Sequence, residues 1–258
     1  LRVHATIWPA MLLALGLPLP YKLFVHGFFL AEGQKMSKSL GNVIAPQDLI
    51  QRYGADGTRY LLMSATTFGQ DGDISWDRLD DKYNADLANG LGNLLNRVVS
   101  LTNKYLDGVI PELDTRETDA LKIQGSEEVD RTFSQRVSEL WQEYQEALED
   151  VRIEEALFVV NELVGYCDKH INAVKLWELA KEDTSEASEH LYCLSEVLRH
   201  LGWMIIPFMP GSTSQIWQYL GLSPMEEIEK SLEEAKEWGG IKGGEYVKKG
   251  SPLFPRVQ

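Results

Sequence analysis

The chain has 258 residues, 44% of them hydrophobic, with a formal net charge of -14 and two cysteines. That length holds one large domain or two small ones, and the apolar share is enough to close a core. No run approaches the ~20 apolar residues that a membrane-spanning helix needs, two thiols cannot make a four-thiolate metal site, and the acid excess excludes bulk phosphate attraction as the main device over most of the surface.

Taken in chain order, the pattern opens with a helix over about Thr6 to Leu15. The apolar stretch from Met11 to Leu19 is broken by Gly16, Pro18 and Pro20, with no basic region before a cleavage-like site. The run Leu23-Phe24-Val25-His26, closed by Gly27, predicts a buried strand at 23–26. Next comes Lys35-Met36-Ser37-Lys38-Ser39, with Gly33 before it and Gly41 after it. Two ammonium groups three positions apart on flexible stems suit a loop that closes on a polyphosphate and neutralises charge during phosphoryl or adenylyl transfer. Beyond the carboxyl end of a strand in an α/β sheet, such a loop lies where nucleotides bind. Pro46 starts a short helix, Gly54 and Gly57 punctuate the next piece, and Arg59 to Ala65 reads as another helix. Asp71 to Ser75 is a turn into Trp76.

From about Asp80 the pattern is strongly helical. Leu87, Leu91, Leu94, Leu95, Val98, Leu101, Thr102 and Tyr105 form one stripe, and Asp107-Gly108 ends that helix. Further helices are predicted over about 127–149 (Val129, Phe133, Val137, Leu140, Trp141, Tyr144 and Leu148 inward), 153–171, 188–206 and 212–220. A charged helix over 226–237 and a Gly-rich tail from Gly239 to Gln258 follow. Successive amphipathic helices with short connections mean a bundle. The acidic pairs Glu127-Glu128, Glu226-Glu227 and Glu233-Glu234 read as solvated faces. His170, His190 and His200 read as separate, with no acid or cysteine partner at ligand spacing, and as core or helix-surface residues, so no metal ligand is assigned. Cys167 and Cys193 read as buried thiols in a reducing compartment, which makes a cytoplasmic location the expectation.

Several strings extend the lysine loop into a resemblance. They are Trp8-Pro9-Ala10-Met11-Leu12, Phe24-Val25-His26-Gly27, Leu40-Gly41-Asn42-Val43, Phe68-Gly69-Gln70-Asp71-Gly72-Asp73, Tyr83-Asn84-Ala85-Asp86-Leu87-Ala88-Asn89, Gly92-Asn93-Leu94 and Pro252-Leu253-Phe254-Pro255-Arg256. Together they resemble the class I aminoacyl-tRNA synthetases, the methionyl enzymes in particular, over essentially the whole chain. The resemblance implies a mainly α fold in four parts. Residues 1–50 would be the C-terminal remnant of a Rossmann-like α/β catalytic domain carrying the lysine loop, and 51–80 a small α/β stem-contact segment. Residues 81–222 would be an α-helical anticodon-binding bundle, and 223–258 a C-terminal helix and tail packing back toward the catalytic domain. The family's first half, with its His-Ile-Gly-His-type ATP motif and cysteine-ligated zinc knuckle, has no counterpart in these residues. The expectation is therefore a fragment, or one half of a split enzyme, that is inactive alone and works with the N-terminal half in cis or as a separate chain. Implied substrates are methionine and ATP with Mg²⁺, the implied partner is tRNA(Met), and zinc is expected only in the missing half. A monomer with no membrane association is expected.

The same resemblance assigns roles to residues. Lys38 would contact the pyrophosphate leaving group, and Lys35, Met36, Ser37 and Ser39 would complete the ATP-binding loop. His4 and Trp8, four apart and so on one helix face, would line the methionine side-chain pocket, with Val3 where the family usually has Phe. Asn93 and Arg97 are also four apart, with Ser100 and Lys104 on the same polar flank. An amide beside a guanidinium offers paired donors and acceptors for base edges, and the resemblance implies that they read a CAU anticodon. Trp177 would stack on an anticodon base, with Leu176 where the family usually has Pro. Rival readings are a non-catalytic tRNA-binding module, another class I synthetase, and a helical interaction scaffold.

Overall fold

The lysine-loop end of the chain is built on three short strands. In this computed structural model, which describes residues 2–31, 33–37, 39, 41–113, 120–125 and 131–258, β1 (Phe29–Ala31) lies between β2 (Gln34–Lys35) and β3 (Gly72–Asp73). β1 pairs antiparallel with β2, Leu30 opposite Lys35, and parallel with β3, Phe29 opposite Gly72. The strand expected at 23–26 is not there. Those residues join no sheet, and Leu23, Phe24 and Val25 are exposed. An apolar run becomes a strand only where its backbone groups find partners. Residues 29–31 find them on both sides, whereas 23–26 find none. Before the sheet, a wide π-type turn over Val3–Ile7 runs into α1 (Trp8–Ala14), and neither buries a residue.

α2 (Pro46–Ser64) spans the two helices predicted on either side of Gly54. It bends at Gly54, whose φ of 73° suits a residue without a side chain. α3 (Trp76–Lys82) is capped by the Ser75 hydroxyl, which accepts from the Arg78 N–H. A π-type stretch over Tyr83–Leu91 leads into α4 (Gly92–Tyr105). The predicted stop at Asp107-Gly108 is a left-handed cap in which the Leu106 and Gly108 N–H groups both donate to the Thr102 carbonyl.

The bundle continues with α5 (Phe133–Glu149), α6 (Ile153–Ala173), α7 (Leu176–Glu182), α8 (Thr184–Ile205) and α9 (Pro210–Tyr219). A capping box between Thr132 and Gln135 starts α5. The predicted earlier start at Glu127, with Glu128 and Val129, lies outside the described residues. α7 was not foreseen. The charged helix expected over 226–237 is two short ones, α10 (Pro224–Glu229) and α11 (Leu232–Lys236), because Ser223 and Ser231 each cap a helix of their own. Leu94, Leu95 and Val98 of α4 share one core with Phe133, Leu140, Leu163, Leu194 and Leu198.

Buried polar groups correct three further expectations. Glu227 is not a solvated acid: it is buried, accepts from the Trp203 indole N–H at 3.0 Å and pairs with Lys230. His170 and His190 are not separate. The Gln124 N–H donates to His170 Nδ1 at 3.0 Å, so His170 Nε2 carries the proton and donates to His190 Nδ1 at 2.8 Å. His200 does have an acid partner, one helical turn back. Trp141 donates to its Nδ1 at 3.0 Å, and its Nε2 faces Glu196 at 3.4 Å. Glu196 is fully buried. Burial alone would raise its carboxyl, but Arg199, bonded to it at 2.7 Å, and His200 hold it well below the usual carboxylate range. Glu196 also accepts from the Gly239, Gly240 and Ile241 N–H groups, and Arg199 donates to the Ala235 and Glu237 carbonyls. Between them the two side chains fix the start of the tail on α8. The tail then runs back along α4, from Val247 bonded to Gly108, past Phe254 against Gly92, to Val257 bonded to Asn84 and Gln258 bonded to Arg52.

Candidate functional site

Two groups of the predicted residues lie in different parts of the molecule. At the sheet end, Lys35 closes β2 and its Nζ lies 5.0 Å from the centroid of the Phe28 ring. The turn after it is held by the Ser37 N–H, which donates to Asn42 Oδ1 at 2.9 Å, and by the Ser37 and Ser39 hydroxyls 3.1 Å apart. Its base is tied to the sheet through the Gly33 N–H on Asp73 at 2.8 Å. Met36 is partly buried. Lys38 lies outside the described residues. Beside the turn, a cleft of about 460 Å³ is lined by Asn42, Ile74 and Trp76, among others. His4 lines a separate cleft of about 290 Å³ with Leu23, Phe24, Val25 and His26. Trp8, one turn on, is 39% exposed, and among the described residues no hydrogen bond or ring contact joins it to His4 or to the loop.

At the bundle end, the other three stand on α4 and α7, which pack on each other and on α6. Asn93 is exposed on the first turn of α4. Arg97, one turn later, donates from Nη1 to Asp168 at 2.8 Å and from Nη2 to Asn172 at 2.7 Å. Burial pushes the Asp168 carboxyl up and Arg97 pulls it down, the net direction being upward. Trp177 emerges from the first turn of α7, 37% exposed. Two features fix it there: Lys175 takes a left-handed conformation with φ 46°, and Leu176 is driven into the core. At the far end of α4 the Tyr105 hydroxyl donates to the Trp177 carbonyl at 3.3 Å. A partly exposed indole, a guanidinium held by two acceptors and an exposed amide thus stand on two adjoining helices, α4 and α7.

Comparison with known proteins also divides the chain in two, with Asn93 and Arg97 inside the first match and Trp177 inside the second. Residues 1–99 match the family described as tRNA synthetases class I (M), and residues 130–246 the anticodon-binding domain of tRNA ligase. A methionine–tRNA ligase of Caldanaerobacter subterraneus subsp. tengcongensis is 41% identical over 99% of this chain, and one of Thermotoga maritima is 37% identical, also over 99%. The chain belongs to the methionyl-tRNA synthetase family. It spans 38% of the length of the first of these relatives and 39% of the second. A solved Mycobacterium tuberculosis methionyl-tRNA synthetase in complex with methionyl-adenylate superposes with a TM-score of 0.84 at 31% identity, over 99% of this chain and 48% of that one.

Within this member of the methionyl-tRNA synthetase family, the residues that sequence reasoning missed are the ones that hold the others. Asp168 and Asn172 orient Arg97, and Tyr105 anchors Trp177. The available signal was their own spacing, since Asp168 and Asn172 are four apart on one helix face.

Proposed function

We propose that this chain is the part of a methionine–tRNA ligase that carries the lysine loop and reads the CAU anticodon, in an enzyme that activates methionine with ATP and transfers it to tRNA(Met). What supports the reading is that Asn93 and Arg97 on α4 and Trp177 on α7 stand on adjoining helices, with Tyr105 of α4 bonded to the Trp177 carbonyl. Arg97 uses two donors on Asp168 and Asn172. A guanidinium has five, which leaves an edge for a base. Asn93 offers an amide beside it, and stacking on Trp177 contributes about 1–3 kcal/mol per base. The acidic remainder of the surface disfavours other poses of the RNA.

In activation, the methionine carboxylate attacks the α-phosphate of ATP. The bond to the pyrophosphate breaks, and negative charge gathers on that leaving group. Lys35 and Lys38 neutralise it, by position and charge rather than by covalent chemistry. His4 and Trp8 meet the methionine thioether, which favours aromatic contact. Among the described residues no group of three or more His, Cys, Asp or Glu side chains is assembled to hold a metal ion. Mg²⁺ would bridge phosphate oxygens of ATP, and zinc would belong to the rest of the enzyme. The rest of the enzyme, in cis or as a separate chain, covers the apolar side chains exposed on α1 and in the 17–28 segment. The complete enzyme is a cytoplasmic monomer in this reading, and Cys167 and Cys193, both buried in the bundle, suit a reducing compartment.

The test is fluorescence anisotropy of the chain with a CAU anticodon stem-loop and with a scrambled loop. At least tenfold preference for CAU is expected, and equal affinity overturns the anticodon reading. Pyrophosphate exchange should be absent until the rest of the enzyme is supplied, and robust exchange by the chain alone refutes the division of the ATP site.

A further inference from the structure

The exposed stripe of α4 lies between two unlike walls. At about 100° per residue, Arg97 and Tyr105 fall on one side of Asn93, and Asn96 and Ser100 on the other. The first side is the one that leads to Asp168, Asn172 and Trp177. On the second, Asn96 and Ser100 line a cleft of about 120 Å³ whose far wall is the C-terminal tail at Lys248, Lys249, Gly250 and Ser251. This stretch of tail is held in place. The Val247 N–H donates to the Gly108 carbonyl at 2.8 Å, the Lys248 N–H to the Tyr219 carbonyl at 2.8 Å, and the Tyr219 hydroxyl to the Ser251 carbonyl at 2.8 Å.

Lys248 and Lys249 are exposed, and among the described residues no acidic side chain lies within ion-pair distance of either. The same holds for Lys104 near the end of α4, whose Nζ sits 4.9 Å from the Tyr105 ring centroid. No acidic residue lines the cleft. Arg97 is matched by Asp168 and Lys175 by Glu178, whereas the exposed Lys169, Lys181 and Lys242 stand singly on the bundle without an acidic partner among the described residues. On a chain of net charge -14, two adjacent lysines with no acidic partner among the described residues, beside a cleft that Asn96 and Ser100 share with Leu95 and Val99, make a local attractor for anions.

We propose that Lys248 and Lys249 hold the phosphate backbone of the same RNA whose bases face Asn93, Arg97 and Trp177, with Lys104 extending the contact along α4. The inference rests on the anticodon reading above. It assigns one wall to base edges and the other to phosphates. The lysines act as flexible point charges that read no sequence but fix the register in which the bases arrive.

The experiment is anisotropy of the full chain with the CAU stem-loop and the scrambled loop across a salt series. For the Lys248→Gln/Lys249→Gln double variant we expect about tenfold weaker binding of both RNAs at low salt. The slope of log affinity against log salt should fall by about 1 to 2, with the CAU preference unchanged. Lys22→Gln, an exposed lysine in the sheet end, should leave all three readouts unmoved. Both tail side chains are exposed and have no ion pair among the described residues, so the melting curve should not move. If the unaltered chain prefers CAU and the double variant keeps its affinity and slope, the phosphate wall is wrong while the anticodon reading stands. A loss confined to the CAU loop would also overturn it, by making the lysines base readers. Equal affinity of the unaltered chain for the two RNAs overturns the anticodon reading and, with it, this placement of the backbone.

Discussion

Val3–Ala14 and Thr184–Ile205 are both helical and both rich in aliphatic side chains, yet the first buries none of its residues and the second buries sixteen of twenty-two. The difference lies in what surrounds them. α8 is enclosed by α4, α5, α6, α7, α9 and the tail, so its apolar faces and its Glu196, Arg199, His190 and His200 all find partners within the chain. The N-terminal helix packs on nothing comparable. Val3, Ile7, Trp8, Met11, Leu13 and Leu15 all face out, as do Leu23, Phe24 and Val25 after it. One half of the molecule is thus a closed helical unit with a surface of its own, and the other is an apolar face with no cover. RNA reading is assigned to the closed unit and adenylate chemistry to the open one, which is why the first is testable on this chain and the second is not.

The sharpest way to break the comparison is to open the closed unit from inside. Arg199→Met removes the guanidinium from a fully buried cluster and leaves the Glu196 carboxylate with His200 and three backbone N–H groups. Breaking a buried pair from one side costs about 3–5 kcal/mol, so the urea midpoint of the bundle should fall steeply. The tail should detach from α8 at lower denaturant still. A loss below about 1 kcal/mol would mean that the cluster is not what holds the tail.

A gentler probe of the same interior is pH. Burial, and then the neighbouring His190, push His170 down to about 3 from an ordinary value near 6.5, and burial lowers His190 and His200 as well. Between those values the unfolded chain binds protons that the folded chain refuses, so stability is complete above about pH 6.5 and falls as the pH drops toward 3. The expected slope is about 1 kcal/mol per pH unit from pH 6.5 to 4, read from urea midpoints. His170→Gln should reduce that slope whatever it does to stability at pH 7. An unchanged slope would show that the His170–His190 contact is not the proton-excluding element.

Most of the closed unit was legible, and the open one was not, for one reason. A helical stripe such as Leu87, Leu91, Leu94, Leu95 and Val98 records local periodicity, and periodicity is written in a single segment. The run at 23–26 is equally apolar, but whether it becomes a strand depends on partners elsewhere, and the ladder formed instead at 29–31. Burial of Glu227 likewise depends on Trp203 and Lys230, which a string of glutamates does not reveal. At the candidate site, the spacing of Asn93 and Arg97 and the resemblance around them pointed to the helix face. Asp168 and Asn172 are more than seventy residues from Arg97, and only the packing of α6 on α4 brings them there.

Trp177→Ala separates surface function from fold. Leu176 anchors α7 and is fully buried, whereas the Trp177 ring is 37% exposed. Stability should change little, while affinity for a CAU stem-loop should fall by about 1–3 kcal/mol. Titrations and melts on the same preparation decide it. If melting falls and binding does not, Trp177 is a packing residue and the closed unit has no stacking platform there.

The smallest effect is the most telling about the open half. Ile7→Ser and Met11→Ser would damage an ordinary helix by removing core contacts, at a cost of about 2–5 kcal/mol for a buried aliphatic residue. Here both side chains face out, so each change should shift the stability of this chain by no more than about 0.5 kcal/mol. With the rest of the synthetase present, the same changes should weaken its association or lower its melting point, because the apolar face would then be an interior. Equal insensitivity in both settings would mean that nothing covers α1 in the complete enzyme. The open half would then be a surface in its own right, not the edge of a larger fold.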